Sequence, residues 1–191
     1  MIDTFLIDHP SFAVATWAVL YVSDYYLTLW GARLYHTRAR AFVELGSYEM
    51  EPIFQKDIDA LRSVSPLFIR YLLLSSALLL LVWWMSVKWA HVPAFYAVTV
   101  GAYLLVELMI HMRHLRNIVL FRSLGVPGAA EGHLRYARWV TEQVHVVDLG
   151  AFAGLFAICY VVSGEILFVG GVLGCLGILR RHARTARRPS P

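Results

Sequence analysis

The chain is predicted to be all-α: a polytopic integral membrane protein forming a five-transmembrane-helix bundle, with an amphipathic interfacial helix in its first cytoplasmic loop. Three observations lead there. Hydrophobic residues make up 59% of the sequence, charged residues only 16%, and mean hydropathy is +0.59, whereas a soluble domain is roughly half apolar and a quarter charged. The apolar excess is gathered into runs of the length a bilayer requires, about 20 residues for some 30 Å of hydrocarbon. The 17 basic residues are also distributed unevenly among the connections between those runs.

The N-terminal stretch "MIDTFLIDHP" lacks a basic segment and carries Asp3 and Asp8, so a cleaved signal peptide is not expected and the first span itself directs insertion. That span covers residues 11–34. Residues 35–65 then form a loop in which "EPIFQKDIDALRSV" opens with Pro52 and repeats Phe54, Ile58 and Leu61 at helical spacing, the pattern of a helix lying on a membrane surface. The second and third spans, 66–89 and 93–114, each begin with a proline in the first turn, where helices prefer it. Between them "KWAHVP" is long enough only for a tight turn. A loop over 115–138 leads to the fourth span, 139–162, and a short fifth span, 165–179, ends in a basic tail, 180–191. Together these make a single membrane domain over 1–191.

With five spans, every basic residue except Lys88 falls on one side. The positive-inside bias then puts the N-terminus outside and the C-terminus in the cytoplasm. Membrane lipids are the expected surroundings, in the inner or plasma membrane of a bacterium or archaeon. The isoelectric point near 9.2 reflects arginines facing an anionic leaflet, so nucleic acid is not an expected partner. Cys159 and Cys175 sit inside apolar runs with no CxxC, which points to small buried side chains and not to a disulfide or thiolate site. Gly150-x-x-x-Gly154 and Gly170-x-x-x-Gly174 are small-residue faces for close helix packing, within the chain first and in a homo-oligomer second. Trp83, Trp84 and Trp89 read as an aromatic belt.

Against this apolar background the ionisable residues stand out, because each costs several kcal/mol at membrane depth unless paired, ligated or wet. Glu107, His111 and His114 fall at i, i+4 and i+7 on one face of the third span, and Thr141, His145 and Asp148 repeat that spacing in the fourth, where Glu142 adds an E-x-x-H. The two spans run antiparallel, so His111 is expected near His145 and Glu107 near Asp148. Asp24 in the first span lies at a similar depth, roughly 10 to 15 Å below the basic margin at 1.5 Å per residue.

Oxygen and imidazole donors in this pattern suit a divalent metal: Zn, Fe or Mn. The candidate ligands are His111, His145, Asp24, Glu107, Asp148, His114 and Glu142, with Asp24, Glu107 or Asp148 also available as a catalytic base and Arg70 or Arg113 to hold a phosphate. E-x-x-H is the ligand spacing of di-iron carboxylate bundles, but those use two such motifs where this chain has one. Blander readings exist: His114 as an interfacial residue, Glu142 paired with Arg138, Glu107 and Asp148 as a structural contact. Glu44, Glu49 and Glu51 could cover the site or simply be solvated. The sequence holds no HExxH, no GxSxG, no phosphate-cradling glycine loop and no evident Ser/His pair.

The function expected is a metal-dependent membrane enzyme, a hydrolase or oxidoreductase, acting on a lipid or other amphiphile from the cytoplasmic side. The alternatives are a proton or metal-cation transporter or channel, a haem-binding electron carrier with His111 and His145 as axial ligands, and a structural or assembly subunit.

Overall fold

The computed structural model describes residues 1–44, 48, 51–135 and 137–186. Glu49, Arg187 and Arg188 lie outside the described residues, as does the side chain of Arg138. The chain is all-α, with helices α1 (Ile2–Asp8), α2 (Pro10–Leu34), α3 (Pro52–Asp59), α4 (Pro66–Trp83), α5 (Pro93–Leu124), α6 (Arg138–Ser163) and α7 (Leu167–Ala186). One short ladder departs from this: β1 (Val43–Glu44) pairs in parallel with β2 (Leu134–Arg135). It clips together the two long loops, which therefore lie at the same end of the bundle.

Four helices are long and apolar enough to cross a membrane: Pro10–Ala39, Pro66–Trp89, Pro93–Leu124 and Trp139–Ser163. The first two include π-helical turns, Tyr35–Ala39 and Trp84–Trp89, that continue α2 and α4. The helix starts follow the prolines: α2, α3, α4 and α5 each carry one in the first turn. Ser65 caps α4 by accepting from the Phe68 amide at 3.3 Å, and its hydroxyl donates to Asp57 at the end of α3. Arg62 donates to the other Asp57 oxygen at 3.0 Å, so α3 is tied to the start of α4. Its apolar residue Ile58 is buried with Tyr25, Leu29 and Phe68.

The helix ends run further than the apolar pattern suggests. α5 continues ten residues beyond His114, burying Ile118 and Phe121, and α7 continues to Ala186 through residues expected to form a tail. α6 stops at Gly164, whose φ of 71° is the left-handed conformation that favours glycine at a helix end.

The packing order is set by α7. It forms a hairpin with α6 and lies along α5, while α2 packs on another side of α5. Glycines allow this approach. A Cβ on Gly101 would meet the Leu167 carbonyl oxygen at 1.9 Å, and one on Gly170 would meet the Val98 carbonyl oxygen at 2.0 Å. Gly174 faces Val106 on the same seam, so Gly170 and Gly174 are used within the chain. Nothing lies within 4 Å of the corresponding point on Gly154. Two apolar clusters result. Leu6, Trp17, Leu79, Tyr96, Val100 and Leu167 close the α1 end, and Val106, Met109, Leu149, Phe156 and Cys175 bind α5, α6 and α7 together.

At the α1 end two carboxylates cap each other's helices. Asp3 accepts from the amides of Ile166 and Leu167, the latter at 2.9 Å, and Glu165 accepts from those of Ile2 at 3.0 Å and Asp3 at 2.8 Å and also contacts the Met1 amino group. Glu165 stands in the turn between α6 and α7, outside both helices. The Asp3 amide first, then the Met1 amino group and the Ile2 amide, hold its carboxyl down at about 2, from an ordinary 4.5.

Gly170→Ala is expected to force α5 and α7 apart and destabilise the protein by about 1–3 kcal/mol, as over-packing does. Gly154→Ala is expected to be nearly neutral. Thermal unfolding of both variants in detergent checks this, and equal midpoints would refute the seam. The depressed Glu165 carboxyl contributes stability that is present in full above pH 4.5 and lost as pH falls from 4.5 toward 2. The gap in thermal midpoint between the wild type and Glu165→Gln should therefore close across that window, and a gap independent of pH would contradict the double cap.

Candidate metal centre and its cavity

Where α2 crosses α5, Asp24, Glu107 and His111 each offer one ligand atom, and these atoms all lie within 4.8 Å of one another. The i, i+4 spacing of Glu107 and His111 puts both on the face of α5 that meets α2. His111 is oriented from within its own helix: Nδ1 donates to the Glu107 carbonyl at 2.7 Å. That leaves Nε2 as the atom with a lone pair, 2.6 Å from the Ser23 hydroxyl. The Ser23 hydroxyl also reaches the Leu20 carbonyl at 2.9 Å, so it can turn away from His111 without losing an acceptor.

One turn along, His114 supports Asp24. Its Nε2 is 3.1 Å from Asp24 Oδ1 and 3.1 Å from the Thr28 hydroxyl. The approach to Asp24 is off the hydrogen-bonding direction, so Oδ1 keeps no hydrogen-bond partner among the described residues, and neither does Glu107 Oε2. Two buried carboxylate oxygens without donors beside an imidazole lone pair is an arrangement that a cation would satisfy. Tyr48, from the first loop, brings its hydroxyl to 3.4 Å from His114 Nδ1. It fits there because Gly31 has no side chain: a Cβ would lie 2.0 Å from the Tyr48 oxygen.

The polar residues of α6 are placed differently from the sequence expectation. His145 does not face His111; its Nδ1 accepts from Arg113 at 3.3 Å, and its Nε2 is buried without a partner among the described residues. Asp148 does not face Glu107; it pairs with Arg116 at 3.0 Å. Glu142 meets His182 of α7, and the His182 ring lies 5.7 Å from that of His145. The cause is α7. Because it packs against both α5 and α6, the polar residues His145 and Asp148 of α6 meet α5 through the long Arg113 and Arg116. The expected set thus divides in two: Asp24, Glu107, His111 and His114 at the α2–α5 crossing, and Glu142, His145 and Asp148 around the two arginines and His182. The two imidazoles proposed as haem ligands are held on separate partners.

Beside the first group lies a cavity of about 240 Å³. Asp24, Thr28 and His114 line one part of it, Arg113, Arg181, His182 and Glu51 another, and Phe54, Ile58, Phe68, Met109, Leu149 and Ile178 supply apolar wall. Arg181 donates to Glu51 at 2.6 Å on the cavity wall. Arg70 is exposed on α4 and does not line the cavity.

Several residues here escape sequence reasoning. His182 reads as one residue of a basic tail, and only the continuation of α7 carries it inward. Ser23 and Thr28 are ordinary helix residues until α5 is packed against them. Tyr48 had one available signal, the isolated Gly31 inside an otherwise apolar helix.

No protein-family model matches the chain, and neither does any curated protein or solved structure.

Two carboxylate contacts differ in burial. Glu142 and His182 expose 3% and 10% of their side chains, against 21% and 51% for Asp148 and Arg116. Asp148→Asn is therefore expected to change stability by about 1 kcal/mol or less, whereas Glu142→Ala, which strands buried His182, should cost ~3 kcal/mol. Unfolding of the two variants side by side tests the ranking, and the reverse order would overturn it.

Proposed function

We propose that the chain is a five-span membrane protein in which Asp24, Glu107 and His111 bind a divalent metal (Zn, Fe or Mn) for hydrolysis of an amphiphile at the cytoplasmic leaflet. The observation carrying the reading is the convergence of three ligand atoms within 4.8 Å, two of the residues having a buried oxygen with no hydrogen-bond partner among the described residues.

For the topology, α7 has 20 residues, about 30 Å of helix, and a fifth crossing would use its uncharged part, Leu167 to Leu179, with the arginines that follow emerging at the membrane surface. Its last turns are rich in arginine, as the cytoplasmic end of a span is. The joined loops at one end of the bundle support the same orientation. The cavity then opens toward the cytoplasm, and α3 lies across it at the interface.

A metal at this point would lower the pKa of a bound water and polarise a substrate oxygen. The surrounding residues have separate tasks. His111 is held as an Nε2 donor by the Glu107 carbonyl, a recurrent way of fixing a ligand's tautomer. His114 and Thr28 steady Asp24. Asp24 and Glu107 would each offer one oxygen to a metal, and either carboxylate could serve as the base for hydrolysis. On the outward side the cluster around Trp17, Tyr96 and Val100 is apolar, which disfavours a cation path across the bundle and so favours catalysis over transport.

Metal analysis of detergent-purified protein, reconstituted in turn with Zn, Mn and Fe(II), tests the reading. Near-stoichiometric metal is expected in the wild type and in His145→Ala, with loss in His111→Ala and Asp24→Asn. Absence of metal from the wild type under all three conditions would sink the proposal. Equal loss in His145→Ala would return the ligand set to three helices.

A further inference from the structure

We infer that the cavity selects a singly charged phosphodiester headgroup, with Arg113 as its recognition residue. This rests on the metal reading above and names the substrate class for that site.

The charge balance leads to it. Most ionised groups around the cavity already face an opposite charge or a hydrogen-bonding partner. Glu51 is matched by Arg181, Asp148 by Arg116, and Glu142 meets His182. Asp24 and Glu107 are the carboxylates that would balance a divalent metal held at the α2–α5 crossing. Arg113 is left. Its one hydrogen bond is to a neutral acceptor, His145 Nδ1 at 3.3 Å, and among the described residues no carboxylate pairs with it. A guanidinium lining a cavity at this depth, with most of its five N–H donors unused, calls for an anion that takes two parallel hydrogen bonds. With a divalent metal balanced by the two carboxylates, Arg113 would be the remaining positive charge, which a single oxyanion such as a phosphodiester matches.

Size and wall chemistry narrow the choice. At about 240 Å³ the cavity falls below the ~300 Å³ at which pockets begin to enclose drug-sized molecules. It therefore admits a headgroup and leaves acyl chains outside. Phe54, Ile58 and Phe68 provide apolar surface toward α3 and α4, suited to the glycerol carbons of an amphiphile. The Arg181–Glu51 pair is part of the cavity wall and would meet polar substituents of the headgroup.

A soluble phosphate shares the same anionic chemistry, so the test compares sources. Binding of dihexanoyl phosphatidylglycerol, of neutral dihexanoylglycerol and of inorganic phosphate is measured by calorimetry on the full chain with and without Mn²⁺. The wild type, Arg113→Ala and Arg113→Lys are compared, and Mn²⁺ content with helical circular dichroism checks that each variant folds. The expected result is binding of the phosphatidylglycerol, weakened at least 10-fold in Arg113→Ala and less in Arg113→Lys, with no binding of the neutral lipid. Unchanged lipid binding in Arg113→Ala, or equal binding of dihexanoylglycerol, would overturn the inference while Mn²⁺ binding keeps the metal reading intact. Absence of Mn²⁺ binding with Arg113-dependent lipid binding would overturn the metal reading and support anion recognition. Phosphate binding tighter than the lipid would overturn the lipid source. If Arg113→Ala fails to fold, identical lipid affinity in a folded Arg113→Lys and the wild type counts against the bidentate role.

Discussion

The structure depends on how closely α7 approaches α5. In a bilayer, helices gain nothing from hiding apolar side chains from lipid, so association rests on van der Waals contact, and contact is greatest where backbones nearly touch. Gly101 and Gly170 provide that point by leaving room for the carbonyls of Leu167 and Val98. Once α7 is seated there, α6 follows as its hairpin partner, and α5 remains open on another side for α2. The site then has its two halves, one where α2 meets α5 and the other where Arg113 and Arg116 reach past α7 toward α6.

The polar interior bears on what the protein tolerates. A carboxylate oxygen without a donor in a low-dielectric setting loses hydration and gains little in return. Asp24, Glu107 and Asp148 each carry one such oxygen, and His145 one such nitrogen. Their neighbours supply partial relief: Thr28 and His114 beside Asp24, Arg116 beside Asp148, Arg113 beside His145. A packed apolar interior would be simpler and as stable. Groups left incompletely satisfied by the chain's own side chains are ones that a partner from outside the chain could complete.

Much of this is legible in the sequence, and the parts that are not share a cause. Helix starts are marked by prolines, and Asp24, Glu107 and His111 stand out as charges within apolar runs. Helix ends are harder, since hydropathy records where lipid would stop and the backbone goes on making its own hydrogen bonds beyond that point. So α5 passes His114 and α7 passes Leu179, taking His182 along. The pairing of His145 with His111 presumed that consecutive long helices pack directly, which is the commoner case. Here the next helix intervenes, and the evidence for that, a glycine at 101 matched to one at 170, lies in two segments almost seventy residues apart. Tyr48 is hidden for the same reason: its seat is an absence, the missing side chain of Gly31.

The exchanged caps of Asp3 and Glu165 have a consequence for biogenesis. They join helices at opposite ends of the chain, separated by more than 160 residues. A ribosome makes α1 well before α7, so the α1 amides wait through the synthesis of more than 160 residues for the turn that satisfies them. Until then α5 lacks the neighbour that seats on Gly101. The bundle therefore closes late, as a ring closes with its final link, and a chain truncated before Glu165 would leave the α1 amides without their acceptor.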